Sequence, residues 1–146
     1  MTNTNKPTAN NAILACVDGS VYTDSVLAHA AWAGQRLEAP VQALHIQPPG
    51  SDYAASIDLS GAIGLGAKSS LLEKLAQMDE SRAKLDQQKG KLILEHAKEV
   101  LAAADISAVS TLHRRGSLVE TLSELEPSTQ LVVLGKRGEH ADFASL

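Results

Sequence analysis

Apolar residues along the chain gather in four short runs, each about the length of one β-strand. The runs cover residues 12–17 (AILACV), 41–46 (VQALHI), 106–112 (ISAVSTL) and 131–134 (LVVL). The third run follows the two-residue repeat of a strand, and the fourth is apolar throughout, which is typical of a fully buried strand in a parallel sheet. We therefore predict four strands, the last of them with a neighbour on each side.

A helical pattern follows the first strand and extends from Ser20 to about Leu37. Ser20 is expected to cap this helix, and Asp24 adds a favourable negative charge to its early turns. One stripe of the helix is apolar at helical spacing and contains Val26, Ala30, Ala33 and Leu37. This stripe is the face that we expect to pack against the sheet.

The longest helical pattern covers residues 67–104. A single rod of that length would measure roughly 55 Å, which is too long for one face of a small sheet. We therefore expect a break at Gly90 or in the polar stretch 79–84. Residues 85–104 would then pack on the sheet, while residues 67–80 would project or contact a partner.

The elements alternate in the order strand, helix, strand, helix, strand, helix, strand. The last helix opens at Gly116 and Ser117 and is stopped by Pro127. This order predicts an α/β fold, an open parallel sheet with right-handed crossovers and helices on both faces. Residues 1–11 are expected to be a disordered tail and residues 12–146 to form one domain, with a helical insert at about 50–84.

The amino-acid composition argues against several classes of function. The net charge of −4 and the 3% aromatic content argue against binding of nucleic acid, which needs a basic face or a stacking platform. The first ten residues contain no apolar segment, and the longest apolar run has six residues, so we expect neither a signal peptide nor a membrane span. The single cysteine, Cys16, fits a reducing compartment, and we expect a cytoplasmic protein.

Two turns at strand ends carry candidate chemistry. Asp18, Gly19 and Ser20 follow the first strand, where a parallel sheet binds ligands, and the carboxylate could accept hydrogen bonds from an adenine amino group or a ribose hydroxyl. The alternative is a simple turn with a helix cap. The segment 135–138 (GKRG) follows the last strand and offers two glycines for close backbone approach and two cations for phosphate, although glycines also end strands without any ligand.

Other candidates are weaker. Residues 113–115 (HRR) end the third strand and would add positive charge to the same edge, or form a solvated loop. The segment 61–69 (GAIGLGAKS) misses the phosphate-binding P-loop pattern, because Ala67 separates the last glycine from Lys68. His45 is expected to be packed and hydrogen-bonded, and Cys16 to be inert. The histidines show no metal-ligand spacing, and no serine has a nucleophile-elbow pattern.

Taken together, these segments resemble the universal stress protein family. Besides the alanine-rich first helix, the matching pieces are residues 12–20 (AILACVDGS), 41–46 (VQALHI), 114–122 (RRGSLVETL) and 131–138 (LVVLGKRG). The insert with residues 58–66 (DLSGAIGLG) resembles the amino-terminal half of tandem members, in which two such domains share one chain. The resemblance covers nearly all of the chain after residue 11.

The resemblance implies a five-stranded parallel sheet in the order 3-2-1-4-5, with ATP in the cleft between strands one and four. It implies that Asp18 contacts adenine or ribose and that Ile46 lines the adenine pocket. It further implies that Gly135, Arg137 and Gly138 flank the ribose and phosphates. ATP, with or without Mg²⁺, is therefore the expected ligand.

The chain departs from this pattern at its end. The family motif Gly-x2-Gly-x9-Gly would place its third glycine at position 148 and a small hydroxyl or amide residue at 149, beyond Leu146. The fifth strand, often the dimer seam of the family, is missing as well. We therefore expect a truncated domain in which Leu131–Leu134 forms an apolar edge that self-associates or pairs with a chain that supplies the missing strand.

Three functional hypotheses follow. The leading one is a cytoplasmic, ATP-binding stress-response domain that acts by nucleotide-dependent association, with no catalytic residue and at most slow hydrolysis. The second is a dimerisation or interaction module of the same fold that binds no nucleotide and acts through its insert and its strand edge. The third is a P-loop kinase, which would require activity to depend on Lys68.

Overall fold

The computed structural model describes residues 11–47, 65–106 and 108–136 of the chain. Four strands form one sheet: β1 (Ala12–Cys16), β2 (Val41–Gln47), β3 (Val109–Arg115) and β4 (Thr129–Val133). In this part of the chain three helices connect them: α1 (Thr23–Leu37), α2 (Leu65–Ala103) and α3 (Leu118–Leu125), the last followed by a 3-10 turn at Glu126–Ser128. The predicted order of elements is confirmed.

All strand pairs in the sheet are parallel, and the spatial order is β3-β2-β1-β4. The crossovers through α1 and α2 run in one direction across the sheet, and the crossover through α3 returns. Because such crossovers are right-handed, α1 and α2 cover one face and α3 lies on the other. The predicted α/β fold, an open parallel sheet with helices on both faces, is confirmed.

The main core lies between the sheet and the α1/α2 layer. Its strand members come from β1 and β2, and its helix members come mainly from α1 and the carboxyl-terminal half of α2. The fully buried positions in this cluster are Ile13, Ala15, Leu27, Ala30, Val41, Ala43, Ala97 and Leu101. The apolar stripe predicted for α1 is confirmed for Val26, Ala30 and Ala33 but is wrong for Leu37, which is half exposed at the helix end.

The start of α1 differs from the prediction. The helix begins at Thr23, and Ser20 is not its N-cap residue. Ser20 is instead part of the preceding turn, where its hydroxyl accepts a hydrogen bond from the backbone N–H of Tyr22 at 3.2 Å. Asp24 lies in the first turn, as expected. At α3, Ser117 is the N-cap and accepts the N–H of Glu120 at 3.4 Å, which agrees with the predicted start of that helix.

The long helix α2 is continuous, so the predicted break at Gly90 or at residues 79–84 is wrong. Its 39 residues form a rod roughly 58 Å long at 1.5 Å per residue. A single glycine costs a helix only about 1 kcal/mol relative to alanine, and burial of Leu94, Ala97 and Leu101 stabilises the helix by packing. Leu75 is also buried, so the expected projection of residues 67–80 does not hold at that position.

Gly90 has a packing role. A Cβ atom at this position would lie 2.6 Å from Cε1 and Nε2 of the His113 ring and 2.8 Å from Cδ2 of His45. At distances below 3.0 Å one of the partners would have to shift, so the absence of a side chain at Gly90 lets the helix backbone approach the two imidazole rings this closely. The residue interpreted as a breaker therefore lies where α2 closely approaches His45 of β2 and His113 of β3.

The third strand begins later than predicted. It runs from Val109 to Arg115, whereas the sequence pattern indicated residues 106–112. The cause lies at the preceding helix end, where Asp105 adopts a left-handed conformation (φ 59°). Ile106 then packs towards α1, with its Cδ1 only 3.0 Å from where a Cβ at Gly34 would lie. The apolar side chain of Ile106 therefore packs against α1, and the residue lies outside the paired part of β3.

The last strand lies at one edge of the sheet that the described residues form. Among the described residues β4 pairs only with β1, and Leu131 and Val132 are 39% and 40% exposed. The interpretation of this strand as fully buried is therefore wrong, and the expected apolar edge is present.

None of the described helices has both the length and the apolar character that crossing a membrane requires. The predicted tail at residues 1–11 lies outside the described residues except for Asn11, as does most of the predicted loop between β2 and α2.

Candidate functional site

A cavity of about 530 Å³ opens at the carboxyl ends of β1 and β2. The end of β4, the start of α3 and the middle of α2 contribute its other walls. The residues that line it include Cys16, Val17, Asp18, Tyr22, Thr23, Leu44, His45, Ile46, Gln47, Arg82, Asp86, Lys89, Gly116, Leu118, Leu134 and Gly135. This is where an open parallel sheet binds ligands, because the crossovers on the two sides of β1 leave in opposite directions.

Asp18 is held by the turn that follows β1. Its Oδ1 accepts the backbone N–H of Ser20 at 2.9 Å and lies 3.5 Å from the hydroxyl of Thr23. The same hydroxyl accepts the N–H of Gly19 at 3.0 Å. These contacts form a side-chain-stabilised turn in which the carboxylate orientation is set by the local backbone and by the first residue of α1. The turn and the ligand-binding interpretation are therefore compatible rather than exclusive.

Gly19 allows α2 to approach this turn. Its φ of 80° is favourable for glycine and strained for other residues. A Cβ at position 19 would lie 2.9 Å from Cδ1 of Ile93 and 3.8 Å from Cε of Lys89. The turn that carries Asp18 is therefore in direct contact with the long helix.

The structure brings three of the five predicted site residues together. Asp18, Ile46 and Gly135 all line the cavity, from the ends of β1, β2 and β4. Arg137 and Gly138 lie outside the described residues, so their role stays a prediction. Lys136 is exposed and lines a different groove, which lies between α1 and β4.

Residues 113–115 do not join the site. They are the last three residues of β3, not a loop after it, and they line a separate groove of about 370 Å³ beside α2. Arg114 also lies 3.5 Å from Oε2 of Glu124, which offsets part of its charge. The strand β3 ends three residues later than the sequence pattern indicated, so residues 113–115 belong to the strand itself and not to a turn beside the cavity. Of the two alternatives left open for this segment, the loop does not apply to residues that belong to a strand, and none of the three lines the cavity.

His45 and Cys16 have structural environments. His45 is 6% exposed, and its Nδ1 lies 2.9 Å from the carbonyl oxygen of Val17. Because a carbonyl can only accept, Nδ1 carries the proton and donates it. Burial raises the pKa of the Cys16 thiol to about 11, so the thiol is protonated near neutral pH and is a poor nucleophile. Both residues were predicted to be packed and unreactive, and their contacts agree.

Sequence reasoning missed the contribution of α2. Arg82, Asp86 and Lys89 line the cavity from this helix, although they stand far from Asp18 in the chain. A signal was present, since positions separated by four and three residues share one helix face. The predicted break hid it for Arg82, because residues 79–84 were expected to interrupt the helix, while Asp86 and Lys89 belong to the part that was expected only to pack on the sheet.

Alternative chemistries find no support in the described residues. No group of three or more His, Cys, Asp or Glu side chains that could hold a metal ion occurs there. Leu65 to Ser69 of the P-loop-like segment belong to α2, whereas a P-loop must form a turn directly after a strand. Nucleotide binding through Lys68 is therefore not favoured.

Comparison with known proteins agrees with this architecture. A sequence model of the universal stress protein family matches residues 10–143. A universal stress protein of Synechocystis sp. is 38% identical over 133 residues, which cover 90% of this chain and 46% of that protein. The chain thus spans slightly less than half the length of this curated relative.

Solved structures share the fold. The universal stress protein UspA from Lactobacillus plantarum matches with a TM-score of 0.50 and 21% identity, covering 91% of this chain and 81% of its own. A universal stress protein solved in complex with cAMP matches with a TM-score of 0.54 and 17% identity, covering 88% and 77%. At these identities the likeness concerns the fold alone.

Proposed function

This chain belongs to the universal stress protein family, and on that premise we propose that the cavity at the end of β1 binds an adenine nucleotide such as ATP. The observation that carries the proposal is the convergence of Asp18, Ile46 and Gly135 on one cavity. They come from three strands that are separate in sequence. If Asp18 only stabilised a turn, there would be no reason for Ile46 and Gly135 to lie at the same cavity.

Each of these residues has a defined task in the proposal. The Oδ2 of Asp18 accepts a hydrogen bond from the adenine amino group or a ribose hydroxyl, while Oδ1 stays engaged with the turn. Ile46 supplies apolar surface to the base. Gly135 permits close approach of the backbone to the sugar and phosphates. Arg137 and Gly138 extend the phosphate contacts, as the family resemblance implies.

The dimensions of the cavity support this ligand class. Its volume of about 530 Å³ lies within the range of roughly 300–1,000 Å³ that is usual for small-molecule sites. A solved protein of the same fold was obtained with cAMP, which contains adenine, ribose and phosphate. In our proposal ATP is the ligand and any Mg²⁺ arrives with its phosphates. Ligand occupancy then controls association of the stress-response domain with its partner.

A calorimetric titration tests the proposal directly. The wild-type chain is titrated with Mg-ATP, and Asp18→Asn is titrated under the same conditions. The asparagine Oδ1 can still accept the N–H of Ser20, so the turn is kept, but its amide group opposes a donor on the ligand. We expect about a tenfold loss of affinity, as for one hydrogen bond to a charged group.

The matched control is Asp24→Asn, which removes the same charge from an exposed residue that does not line the cavity. Its affinity for Mg-ATP should stay within twofold of the wild type. The absence of saturable heat with ATP, ADP and cAMP in the wild type would refute the proposed function.

A second candidate is an interaction module that binds no nucleotide. The exposure of Leu131 and Val132 along the edge of β4, with Leu134 half exposed beyond it, favours this function. The two candidates make different predictions for the same titration, because the interaction module would show no heat. They are compatible if the edge is used by a nucleotide-bound form.

A further inference from the structure

The cations of the described cavity wall come from one element. Of the residues that line the cavity, the only arginine and the only lysine in the described part of the chain are Arg82 and Lys89, both on α2. The ends of the strands contribute the carboxylate of Asp18, uncharged polar groups and apolar side chains to the cavity wall. Among the described residues, the long helix therefore supplies the positive charge of the cavity wall, and the sequence prediction did not include this helix in the site.

Of these two cations, Lys89 lies beside the turn that carries Asp18. Its Cε is 3.8 Å from the point where a Cβ at Gly19 would lie. The ammonium nitrogen is bonded to this carbon. Arg82 stands seven residues earlier, which is two helical turns or roughly 10 Å along the axis. The Lys89 side chain therefore lies against the turn that orients Asp18, and it lines the cavity from the α2 side.

The negative charges around the cavity make the position of Lys89 important for binding of an anionic ligand. Asp18 and Asp86 both contribute carboxylates to the cavity wall, and the whole chain carries a net charge of −4. An anionic ligand would be repelled by these groups unless cations compensate at short range. A lysine ammonium binds phosphate as a compact charge with three donors.

We propose that Lys89 is a specificity-determining residue of this site, which contacts a phosphate group of the bound nucleotide and makes affinity depend on ligand charge. The inference rests on the proposed nucleotide function and adds to it a residue from the long helix α2. It assigns α2 a direct part in ligand selection. The ligand class it favours is a nucleotide with a phosphate group over the corresponding nucleoside.

The test compares one charged and one uncharged ligand. Calorimetric titrations with ATP and with adenosine are run on the wild type, on Lys89→Gln and on Lys91→Gln. Lys91 is the matched control, because it is an exposed lysine on the same helix that does not line the cavity. We expect Lys89→Gln to weaken ATP binding about tenfold and to leave adenosine binding within twofold, while Lys91→Gln changes neither. Lys89→Arg should retain most of the ATP affinity.

Each contrary result has a separate meaning. If the wild type binds ATP and Lys89→Gln binds it within twofold, the inference is overturned while the proposed function stands. If Lys89→Gln weakens ATP and adenosine equally, Lys89 shapes the cavity without reading phosphate, and the inference is again overturned. If the wild type binds neither ligand, the proposed function fails and the inference falls with it. Equal thermal unfolding midpoints of the variants confirm that each is folded.

Discussion

The rings of His45 and His113 lie side by side under Gly90 in a tilted arrangement, with centroids 5.2 Å apart and planes inclined at 46°. Within the described part of the chain, no group hydrogen-bonds to Nε2 of His113, and this atom is sealed from solvent. Desolvation, together with the nearby His45, lowers the pKa of His113 from its ordinary value of 6.5. At the residue scale, the folded state therefore favours a neutral imidazole at this position.

This pair predicts a loss of stability in mild acid. The unfolded chain protonates His113 near pH 6.5, whereas the folded chain protonates it only at lower pH, so the unfolded state binds more protons in between. The contribution of His113 is therefore fully present above pH 6.5 and is lost as the pH falls below it. We expect the free energy of unfolding, measured by urea denaturation from pH 8 to pH 5, to fall less steeply in His113→Gln.

The control for this prediction is His29→Gln, which removes an exposed histidine from α1. Its pH profile should run parallel to that of the wild type. Charged neighbours of His113 on other elements include Lys84 and Glu80 of α2, and Arg114 and Arg115 follow it on β3. A wild-type profile that is flat between pH 7 and pH 5 would contradict the assignment.

At the scale of elements, α2 owes its position to a small residue at one contact. Replacing Gly90 with alanine improves the intrinsic helix propensity by about 1 kcal/mol. The added methyl group would nevertheless overlap the His113 and His45 rings, which cannot move freely because His45 is hydrogen-bonded to Val17. We expect Gly90→Ala to destabilise the chain by about 1–3 kcal/mol, as overpacking does, when measured by urea denaturation.

A double-mutant cycle identifies the cause. In the background of His113→Ala the ring that lies 2.6 Å from the new methyl group is absent, so Gly90→Ala should cost less there than in the wild type. An equal cost in both backgrounds would assign the effect to something other than this contact. An increase in stability in the wild-type background would show that propensity outweighs packing at this position.

Sequence patterns located every described helix and strand, because apolar spacing reports the face that each one buries. Their limits and contacts were harder to derive. The role of Gly90 depends on two histidines that are distant in the chain, and the start of β3 depends on Ile106 packing towards Gly34. For the site, strand-end turns indicated Asp18 and Gly135, whereas Lys89 and Arg82 became visible only when α2 was placed against the ends of β1 and β2. Helical spacing shows which residues share a face, but it does not show which part of the fold that face contacts.

At the scale of the whole molecule, the exposed edge of β4 predicts self-association. Leu131, Val132 and Leu134 are 39%, 40% and 50% exposed, and an apolar strand edge can pair with another chain. We expect the sedimentation coefficient of the wild type to rise with protein concentration and that of Val132→Lys to stay at the monomer value, because a charge at the edge opposes pairing.

Leu92→Lys provides the matched control, since Leu92 is 66% exposed but lies on α2. This variant should associate like the wild type. A wild-type chain that sediments as a monomer at all concentrations would contradict the prediction. Equal loss of association in both lysine variants would point to general apolar contact rather than to the strand edge.

The position of β1 between β2 and β4 has a consequence for the time course of folding. β1 and β2 are close in the chain and can pair early, but Ile13 must pair with Leu131, from which it is separated by most of the sequence. Contacts between such distant segments form slowly, because a large loop must close first. Leu134 and Gly135 complete the cavity only when β4 has docked. Ligand binding during refolding should therefore appear with the last slow phase and serve as a signal that the central strand has acquired both of its neighbours.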